Sequence, residues 1–377
     1  ARLPGPDNRR VRNLARQLVE AVRKGRRQKG GVDEFMLEYS LSSEEGVVLM
    51  CLAEALLRIP DADTADKLIA DKIGGKDWDR HLGHSESLFV NASTWGLMLT
   101  GRVIELGGPA TADTAGYLGK LVSRSGEPII RQAMRHAMRI MGRQFVLGRT
   151  ITEAQSIAEP LVEEGYRFSF DMLGEAAMTT GDAQRYYASY ENALGDIAKN
   201  AGASGDIFAR PSLSVKLSAL HPRYEEKARG RMIDELLPQI IALARKANAA
   251  NLGLTIDAEE VDRLDLSLEL FERLSTEPTL AGWNGLGLAV QAYSKRAYTV
   301  LEWLSGLAEH SGRRIPVRLV KGAYWDTEIK LAQEFGFDDY PLFTRKVATD
   351  VSYLACAKLM LARADAFYPQ FATHNAH

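Results

Sequence analysis

Two cations, Arg318 and Lys321, lie within and directly after an otherwise apolar run, IPVRLV, that begins at Ile315. The run predicts a buried β-strand, and a lone charge inside one costs several kcal/mol unless it is paired. Arg318 therefore needs either a carboxylate, such as that of Asp257, or an anionic ligand. Gly322 permits a close backbone approach, and a strand-end amide beside Lys321 can hold phosphate oxygens.

Lys216 raises a similar question in the segment SVKLSALHPRY, where apolar residues flank it on both sides. A lysine predicted inside a strand is either a nucleophile of lowered pKa, as in Schiff-base aldolases, or the partner of a carboxylate. Asp257, predicted one strand over, is the candidate partner. Glu259 and Glu260 follow it, and we expect at least one of them to belong to a solvated acidic loop.

Other reactive side chains give weaker signals. Trp325 can stack on a planar ring or simply pack in a core. His374 and His377 lie in the segment THNAH, but histidines and carboxylates from several strands do not gather there, so no metal site is predicted. Cys51 and Cys356 lie in apolar helical contexts without a C-x-x-C motif. They are predicted to be buried, reduced thiols.

Six β-rich runs alternate with amphipathic helices after residue 150, which predicts a parallel sheet with crossover helices. The runs are YRFSFDML (166–173), LSVKLSAL (213–220), LGLTIDAE (252–259), GLGLAVQAY (285–293), IPVRLVKGAY (315–324) and AFYPQFATHN (366–375). Two closures fit this pattern, a doubly wound open sheet and a (β/α)₈ barrel. The last run is the weakest, because it contains a proline.

Polar side chains at the carboxyl ends of the predicted strands favour the barrel, where such residues form one site. They are Asp171, Lys216, Asp257, Gln291, Arg318 with Lys321, and Thr373 with His374 and Asn375. No G-x-G-x-x-G or P-loop motif follows the first run, which speaks against the open sheet. The predicted fold is thus α/β, a TIM-like (βα)₈ barrel whose last two units are missing from this chain, preceded by an all-helical domain.

The first 150 residues read as helices without strands. A basic helix near the N-terminus, RRVRNLARQLVEAVRKGRRQKGG, closes at a glycine pair. An N-cap signal, SSEE, opens a further helix at residue 42, and more helical segments run through residues 111–147. We predict an N-terminal helical arm at 1–35, a helical domain at 36–150 and the incomplete barrel at 151–377.

Composition bounds the partners of this 377-residue chain. With 46% apolar residues, 25% charged residues and a net charge near −2, it is typical of a globular protein without a field that attracts nucleic acid. No nucleic-acid partner is predicted. No apolar run approaches the roughly 20 residues of a membrane-spanning helix. A cytoplasmic location is predicted, and peripheral association with the inner face of the membrane stays open.

Taken together, six blocks in order resemble the proline dehydrogenase domain of bacterial bifunctional proline utilization A. They are SVKLSALHPRY, LTIDAEE, WNGLGLAVQAYSKR, VRLVKGAYWD, TRKVATDVSYLACAK and YPQFATHNAH. The resemblance extends from about residue 36 to the end of the chain. It implies a distorted (βα)₈ barrel with non-covalent FAD. It also implies oxidation of L-proline to Δ1-pyrroline-5-carboxylate, by hydride transfer from proline C5 to flavin N5, with the electrons passed to a membrane quinone.

The resemblance also implies roles for individual residues. Arg318 would lie near flavin N5 and take part in catalysis with Lys216, Asp257 and Tyr324, the last three lining the proline pocket. Gln291 would bond the isoalloxazine edge. Further cofactor contacts would come from Val320, Lys321, Gly322, Ala323, Trp325, Thr344, Lys346, Thr373, His374 and Asn375. Asp171 and Glu175 match a loop beside the pocket.

Several features of the family are not matched. In the family, a pair of adjacent arginines on the last barrel helix binds the proline carboxylate, and this sequence contains neither that helix nor the aldehyde dehydrogenase module. The chain is either a fragment of a longer polypeptide or an incomplete barrel, and we expect a fragment, because an open edge of a parallel sheet is a liability. The alternatives kept open are a Schiff-base lyase using Lys216, which predicts trapping of substrate by borohydride, and a non-enzymatic helical scaffold. The resemblance leaves a homo-oligomer open.

Overall fold

The computed structural model describes residues 5–29, 146–201, 205–373 and 375–376 of the chain. The chain divides into two compact units, one of Ala1–Arg149 with Ala376–His377 and one of Thr150–Asn375. In the first unit the basic segment forms helix α1 (Gly5–Lys29), as predicted. The helices predicted between residues 42 and 145, and Cys51, lie outside the described residues. The three-part division with a boundary at residue 35 stays a prediction.

The second unit alternates strands and helices in the predicted way. Its strands are β1 (Ser169–Asp171), β2 (Ser212–Val215), β3 (Gly253–Ile256), β4 (Leu286–Gln291), β5 (Ile315–Val320) and β6 (Phe367–Phe371). Its helices are α2 (Ile151–Glu163), α3 (Thr180–Asn200), α4 (Leu217–Leu220), α5 (Arg229–Glu235), α6 (Leu237–Ala249), α7 (Leu264–Ser275), α8 (Ala297–Ser311), α9 (Trp325–Glu334) and α10 (Lys346–Ala362). Each of the six predicted runs overlaps one of these strands.

All six strands are parallel, and they lie in the sheet in their sequence order. A doubly wound sheet reverses its strand order at a switch point, and these strands show no reversal. The topology is therefore that of a barrel wall, which confirms the predicted fold class. Pro369 lies on β6, the edge strand of the described sheet, where a missing N–H is tolerated.

Two contacts show how strongly the sheet curls. Nη2 of Arg318 on β5 donates to Oγ of Ser169 on β1 over 2.7 Å, although four strand spacings would place them about 19 Å apart in a flat sheet. At the opposite end, the ring of Phe208 stacks on that of Tyr368 on β6, with centroids 4.2 Å apart. The Arg314 guanidinium lies over both rings.

Local sequence signals set the limits of several elements. Helix α3 begins with a capping box, in which Thr179 and Asp182 exchange side-chain and backbone hydrogen bonds. Helix α8 ends at Gly312, whose left-handed φ of 62° suits a helix terminus. Pro238 lies near the start of α6, directly after the break between α5 and α6, where its missing N–H is tolerated.

The structure corrects one detail of the strand predictions. The run 213–220 leaves the sheet after Val215 and turns into the short helix α4. Lys216 is the residue between them, so it lies at the strand end rather than in the strand interior. Cys356 is a buried free thiol, as predicted. Within the described ranges, no helix is long and apolar enough to cross a membrane.

Candidate active site

The Asp257 carboxylate, directly after β3, binds two cations at the carboxyl edge of the sheet. Its Oδ1 accepts from Nη1 of Arg318 over 2.9 Å, and its Oδ2 accepts from Nζ of Lys216 over 3.2 Å. All three side chains are largely buried, with exposed fractions between 12% and 20%. The predicted pair of Lys216 with Asp257 is therefore present, and Asp257 also binds Arg318.

The first strand supplies a second partner to each of these cations. Lys216 Nζ lies 3.2 Å from both carboxylate oxygens of Asp171, at the end of β1. Arg318 reaches Ser169, two residues earlier, which leaves three of its five N–H groups for other acceptors. The backbone N–H of Lys216 donates to the hydroxyl of buried Tyr190. These contacts fix both cations on rigid strand ends.

Burial and charge act in opposite directions on the ionisable groups of this cluster. Burial raises the pKa of Asp257, while the neighbouring Lys216 and Arg318 cations oppose that rise. Burial lowers the pKa of Lys216, but the Asp257 and Asp171 carboxylates outweigh it and hold the pKa above the usual lysine value. Lys216 is therefore a protonated partner, and the lowered pKa that a Schiff-base nucleophile needs is absent.

Gln291, at the end of β4, connects three strand ends through its amide. Its Nε2 donates to the backbone carbonyl of Glu259 over 2.9 Å, and its Oε1 accepts from the backbone N–H of Ala323 over 3.0 Å. An amide has two N–H donors and a carbonyl with two lone pairs, so each end keeps bonding capacity. The amide thus fixes the turn after β5 and can still meet a ligand.

Tyr324, predicted beside the substrate, lies opposite the loop between β1 and α3. Its hydroxyl lies 3.5 Å from Oε2 of Glu175, at the limit of hydrogen bonding. Burial, and next the charge of Glu175, raise the pKa of Tyr324, so its phenol stays protonated at neutral pH. The structure thus brings the β1–α3 loop and the turn after β5 to one edge of the site.

Gly322 allows the turn after β5 to lie against the ring of Tyr293. Its φ is +148°, and a Cβ there would come within 2.2 Å of the ring. Only glycine fits this position, so the close approach foreseen in the sequence is made to a protein ring. Ala323, the next residue, is exposed, and Lys321 is half-buried. Val320 ends β5 and is half-buried.

Lys321 and Lys346 bind one carboxylate. Nζ of Lys346 lies 2.7 Å from Asp350 Oδ2, and Lys321 bonds the other oxygen. The Lys321 ammonium also lies 5.9 Å from the centre of the Tyr353 ring. Two cations against one carboxylate leave an excess positive charge on an exposed part of the chain, which suits an anion such as a phosphate.

The remaining predicted cofactor residues lie at the surface. Trp325 begins α9 with 41% of its surface exposed, and its Nε1 donates to the carbonyl of Phe343 over 3.1 Å. Thr344 is exposed, as is Thr373, whose Oγ1 accepts from the N–H of Asn375. His374 lies outside the described residues. An exposed indole at Trp325 and the two cations of Lys321 and Lys346 fit a planar ring that carries phosphates, as in FAD.

Sequence reasoning missed several contributors. Glu259 is buried, with its carboxylate bonded to the N–H of Ser218 and to Nη1 of Arg263. Nothing in the run LTIDAEE separates it from the more exposed Glu260. Ser169 was also missed, although it lies two residues before Asp171 and so faces the same side of the strand. Nothing in the sequence marks Tyr293 as part of the site, except that its ring requires a glycine at position 322.

The described residues contain no group of three or more histidine, cysteine, aspartate or glutamate side chains that could hold a metal ion. His374 and His377 are outside the described residues, so the prediction that this chain has no metal site stays a prediction.

Two family models match the chain. The model described as proline dehydrogenase covers residues 154–377, which includes the whole of the sheet and the site. A model described as the DNA-binding domain of proline dehydrogenase covers residues 31–145. That region lies outside the described residues, and our prediction of no nucleic-acid partner stays a prediction.

The similar proteins include bifunctional PutA proteins and a proline dehydrogenase. The bifunctional protein PutA of Escherichia coli is 52% identical over all of this chain, which spans 29% of its length. Proline dehydrogenase 1 of Bacillus subtilis is 26% identical over 64% of the chain and 68% of its own length. A crystal structure of a Bradyrhizobium japonicum proline utilization A mutant superposes with a TM-score of 0.71 and 48% identity, covering 100% of this chain and 37% of that one.

Proposed function

The chain belongs to the proline dehydrogenase family, and from that premise we propose that it oxidises L-proline to Δ1-pyrroline-5-carboxylate with FAD. The observation that carries this proposal is the Asp257 carboxylate binding both Lys216 and Arg318 at the carboxyl edge of the half-barrel. Barrel enzymes place their chemistry at that edge. The chain spans less than a third of the PutA relatives, so the activity of the whole protein is inferred from this site.

The proposed cofactor supplies the hydride acceptor when it is bound, and the chain holds it in place. Arg318 and Gln291 would contact its redox-active ring. Further holding contacts would come from Val320, Lys321, Gly322, Ala323, Trp325, Thr344, Lys346, Thr373, His374 and Asn375. The excess positive charge of Lys321 and Lys346 over Asp350 supports the assignment of phosphate to that side.

Arg318 would favour the acceptance of negative charge by the ring. Its guanidinium is fixed before any ligand arrives, because Asp257 and Ser169 hold both terminal nitrogens. A fixed cation in a largely buried site stabilises developing charge without reorganisation. This proposed role is compatible with the ion pair to Asp257, because that pair leaves N–H groups of Arg318 available for a ligand.

Lys216, Asp257 and Tyr324 form the proposed substrate pocket. Proline carries a carboxylate and an amine, and the pocket offers groups of both signs. The imine product forms when C5 loses a hydride and the ring nitrogen loses a proton. Lys216 keeps its own proton because Asp257 and Asp171 raise its pKa, so it acts as a fixed cation. That feature disfavours the Schiff-base lyase, and a scaffold gives no reason for paired charges at the strand ends.

The remaining partners follow from the relatives. PutA relatives are bifunctional by name, which supports an aldehyde dehydrogenase module beyond residue 377 in the whole protein. The pair of arginines that binds the proline carboxylate in the family is proposed for a barrel helix after residue 377. Electron transfer to a membrane quinone, a cytoplasmic location with peripheral membrane contact, and a homo-oligomer complete the proposal.

Product analysis tests the proposal. The purified full-length protein is incubated with L-proline and an electron-accepting dye, and the small molecules are identified by mass spectrometry. We expect a product that has lost two hydrogens, formed from L-proline and dependent on added or bound FAD. D-proline serves as the matched control substrate. Absence of that product from a protein that retains FAD contradicts the proposed activity.

A further inference from the structure

We propose that Ser218 is a positioning residue that holds the β1–α3 loop over the site, so that Glu175 lies opposite Tyr324. Ser218 belongs to α4, two residues after Lys216, and only 2% of its surface is exposed. Its hydrogen bonds go to Ala176, Ala177 and Glu259, none of which is a proposed substrate-binding residue. Its effect on the site passes through the loop of residues 172–178.

Ser218 accepts two consecutive N–H groups of that loop. Its Oγ accepts from the backbone N–H of Ala176 over 3.0 Å, and its carbonyl oxygen accepts from that of Ala177 over 2.8 Å. The loop begins where Asp171 meets Lys216 and ends at the capping box of α3. The contact with Ser218 therefore holds the middle of the loop, next to Glu175.

The loop backbone is held in a conformation that it would not adopt alone. Ala176 has a left-handed φ of 53°, which costs a non-glycine residue about 1 kcal/mol. Gly174 has a φ of +133°, and a Cβ there would overlap the Tyr186 ring. Such strain persists only where the surroundings impose it. The two bonds to Ser218 lie at that strained residue and its neighbour.

Ser218 is in turn fixed by Glu259. Its backbone N–H donates to Oε1 of Glu259 over 3.1 Å, while Oε2 of that carboxylate pairs with Arg263. The carbonyl of Glu259 binds Gln291, which holds the N–H of Ala323. Glu259, in the segment after β3, therefore fixes both Ser218 and the turn after β5. Glu175 and Tyr324 meet between these two supports.

Amide exchange tests the positioning role without reference to activity. In Ser218→Ala the acceptor for the Ala176 N–H is lost, together with the side-chain hydrogen bond to the Glu259 carboxylate, while both backbone bonds of residue 218 remain. We expect hydrogen–deuterium exchange at Ala176, read by mass spectrometry with electron-transfer fragmentation, to become about five- to tenfold faster. Ser218→Cys, a weaker acceptor of similar size, should be intermediate and covers the case in which the alanine variant folds poorly. Unchanged exchange in both variants overturns the proposal.

Ser305→Ala is the matched control. Ser305 is also a buried serine in a helix, but its hydroxyl has no hydrogen-bond partner among the described residues. Ser305→Ala therefore removes a serine hydroxyl, as Ser218→Ala does, but that hydroxyl makes no hydrogen bond to the loop. Exchange at Ala176 should therefore stay at the wild-type rate. Acceleration there in the control as well would mean a global loss of stability and would count against a specific contact.

A kinetic readout rests on the proposed function. Because Ser218 acts on the loop and not on the reacting atoms, Ser218→Ala in the full-length protein should raise KM for L-proline about threefold and leave kcat within about twofold. When Ser218→Ala is combined with Glu175→Gln, it should raise KM little further, because both substitutions act through the contact between Glu175 and Tyr324. Full additivity overturns the link to Glu175. If wild type itself fails to oxidise L-proline, the proposed function is wrong, whereas the exchange result at Ala176 still stands.

Discussion

Arg318 on β5 and Asp257 after β3 are joined by a 2.9 Å ion pair between side chains that are 20% and 12% exposed. Lys216, on the other side of the carboxylate, is equally enclosed. A buried carboxylate between two cations is costly to disturb from either side, because whatever remains is an unpaired buried charge. This arrangement makes Asp257 the residue whose removal most affects the site.

Asp257→Ala should lower both stability and activity. Loss of the carboxylate leaves Arg318 with Ser169 and Lys216 with Asp171, and the free energy of unfolding should fall by about 3 kcal/mol. We expect kcat/KM for L-proline to fall about 30-fold or more, since both cations lose their fixed position. Urea unfolding and steady-state kinetics measure the two effects. Asp365→Ala, at an exposed carboxylate, is the control, and equal losses in the two variants would refute the central role of Asp257.

Arg318→Met should slow reduction of the bound flavin by L-proline while some FAD stays bound. Methionine keeps much of the side-chain volume but removes the fixed positive charge. We expect the rate measured by stopped-flow absorbance to fall about 100-fold, as when an electrostatic group is removed from an active site. Arg314→Met, at the opposite end of the half-barrel, should leave that rate unchanged. Normal reduction in the Arg318 variant would exclude the proposed role.

Gly322→Ala should destabilise the turn after β5 far more than an ordinary glycine substitution. Both Gly322 and Gly336 have left-handed φ values, +148° and +64°, so alanine is strained at either position. At Gly322 the new Cβ also overlaps the Tyr293 ring, whereas at Gly336 no atom lies within 4 Å. We expect Gly336→Ala to cost about 1 kcal/mol and Gly322→Ala about 3 kcal/mol, with reduced FAD content. Equal costs would show that the ring contact does not matter.

Glu328→Gln should stabilise the protein at neutral pH. Glu328, on α9, is buried and accepts from the N–H of Val261 over 2.6 Å, a bond that glutamine preserves. Burial raises the pKa of Glu328, so the folded state disfavours its carboxylate. Wild type therefore loses stability relative to the variant as pH rises from about 4.5 through the folded pKa.

The measurement is thermal unfolding of both proteins at several pH values. The variant should be more stable than wild type at pH 7, and the difference should be small at pH 4. Glu334→Gln, an exposed position on the same helix, should show no such pH dependence. A gain for Glu328→Gln that is the same at both pH values would contradict the assignment of a raised pKa.

Strands and their order could be predicted from the sequence because the apolar runs and the intervening helices are local patterns. Lys216 with Asp257 was also predictable, since strand-end residues of neighbouring parallel strands must meet. Ser169 and Ser218 were not, because neither residue type signals a function and each acts through a contact more than 40 positions away. Glu259 and its neighbour Glu260 are the same residue type, and only the backbone conformation after β3 decides which of the two side chains points inward.

Anaerobic addition of L-proline to the purified full-length protein, followed by visible absorption, tests the central claim most directly. We predict a bound-flavin spectrum that bleaches with L-proline, stays unchanged with D-proline, and bleaches much more slowly in Arg318→Met. A protein that binds FAD but is not bleached by L-proline would contradict the proposed reaction at this site. A protein that binds no flavin would contradict the assignment of the turn after β5 and the Lys321 and Lys346 pair to the cofactor.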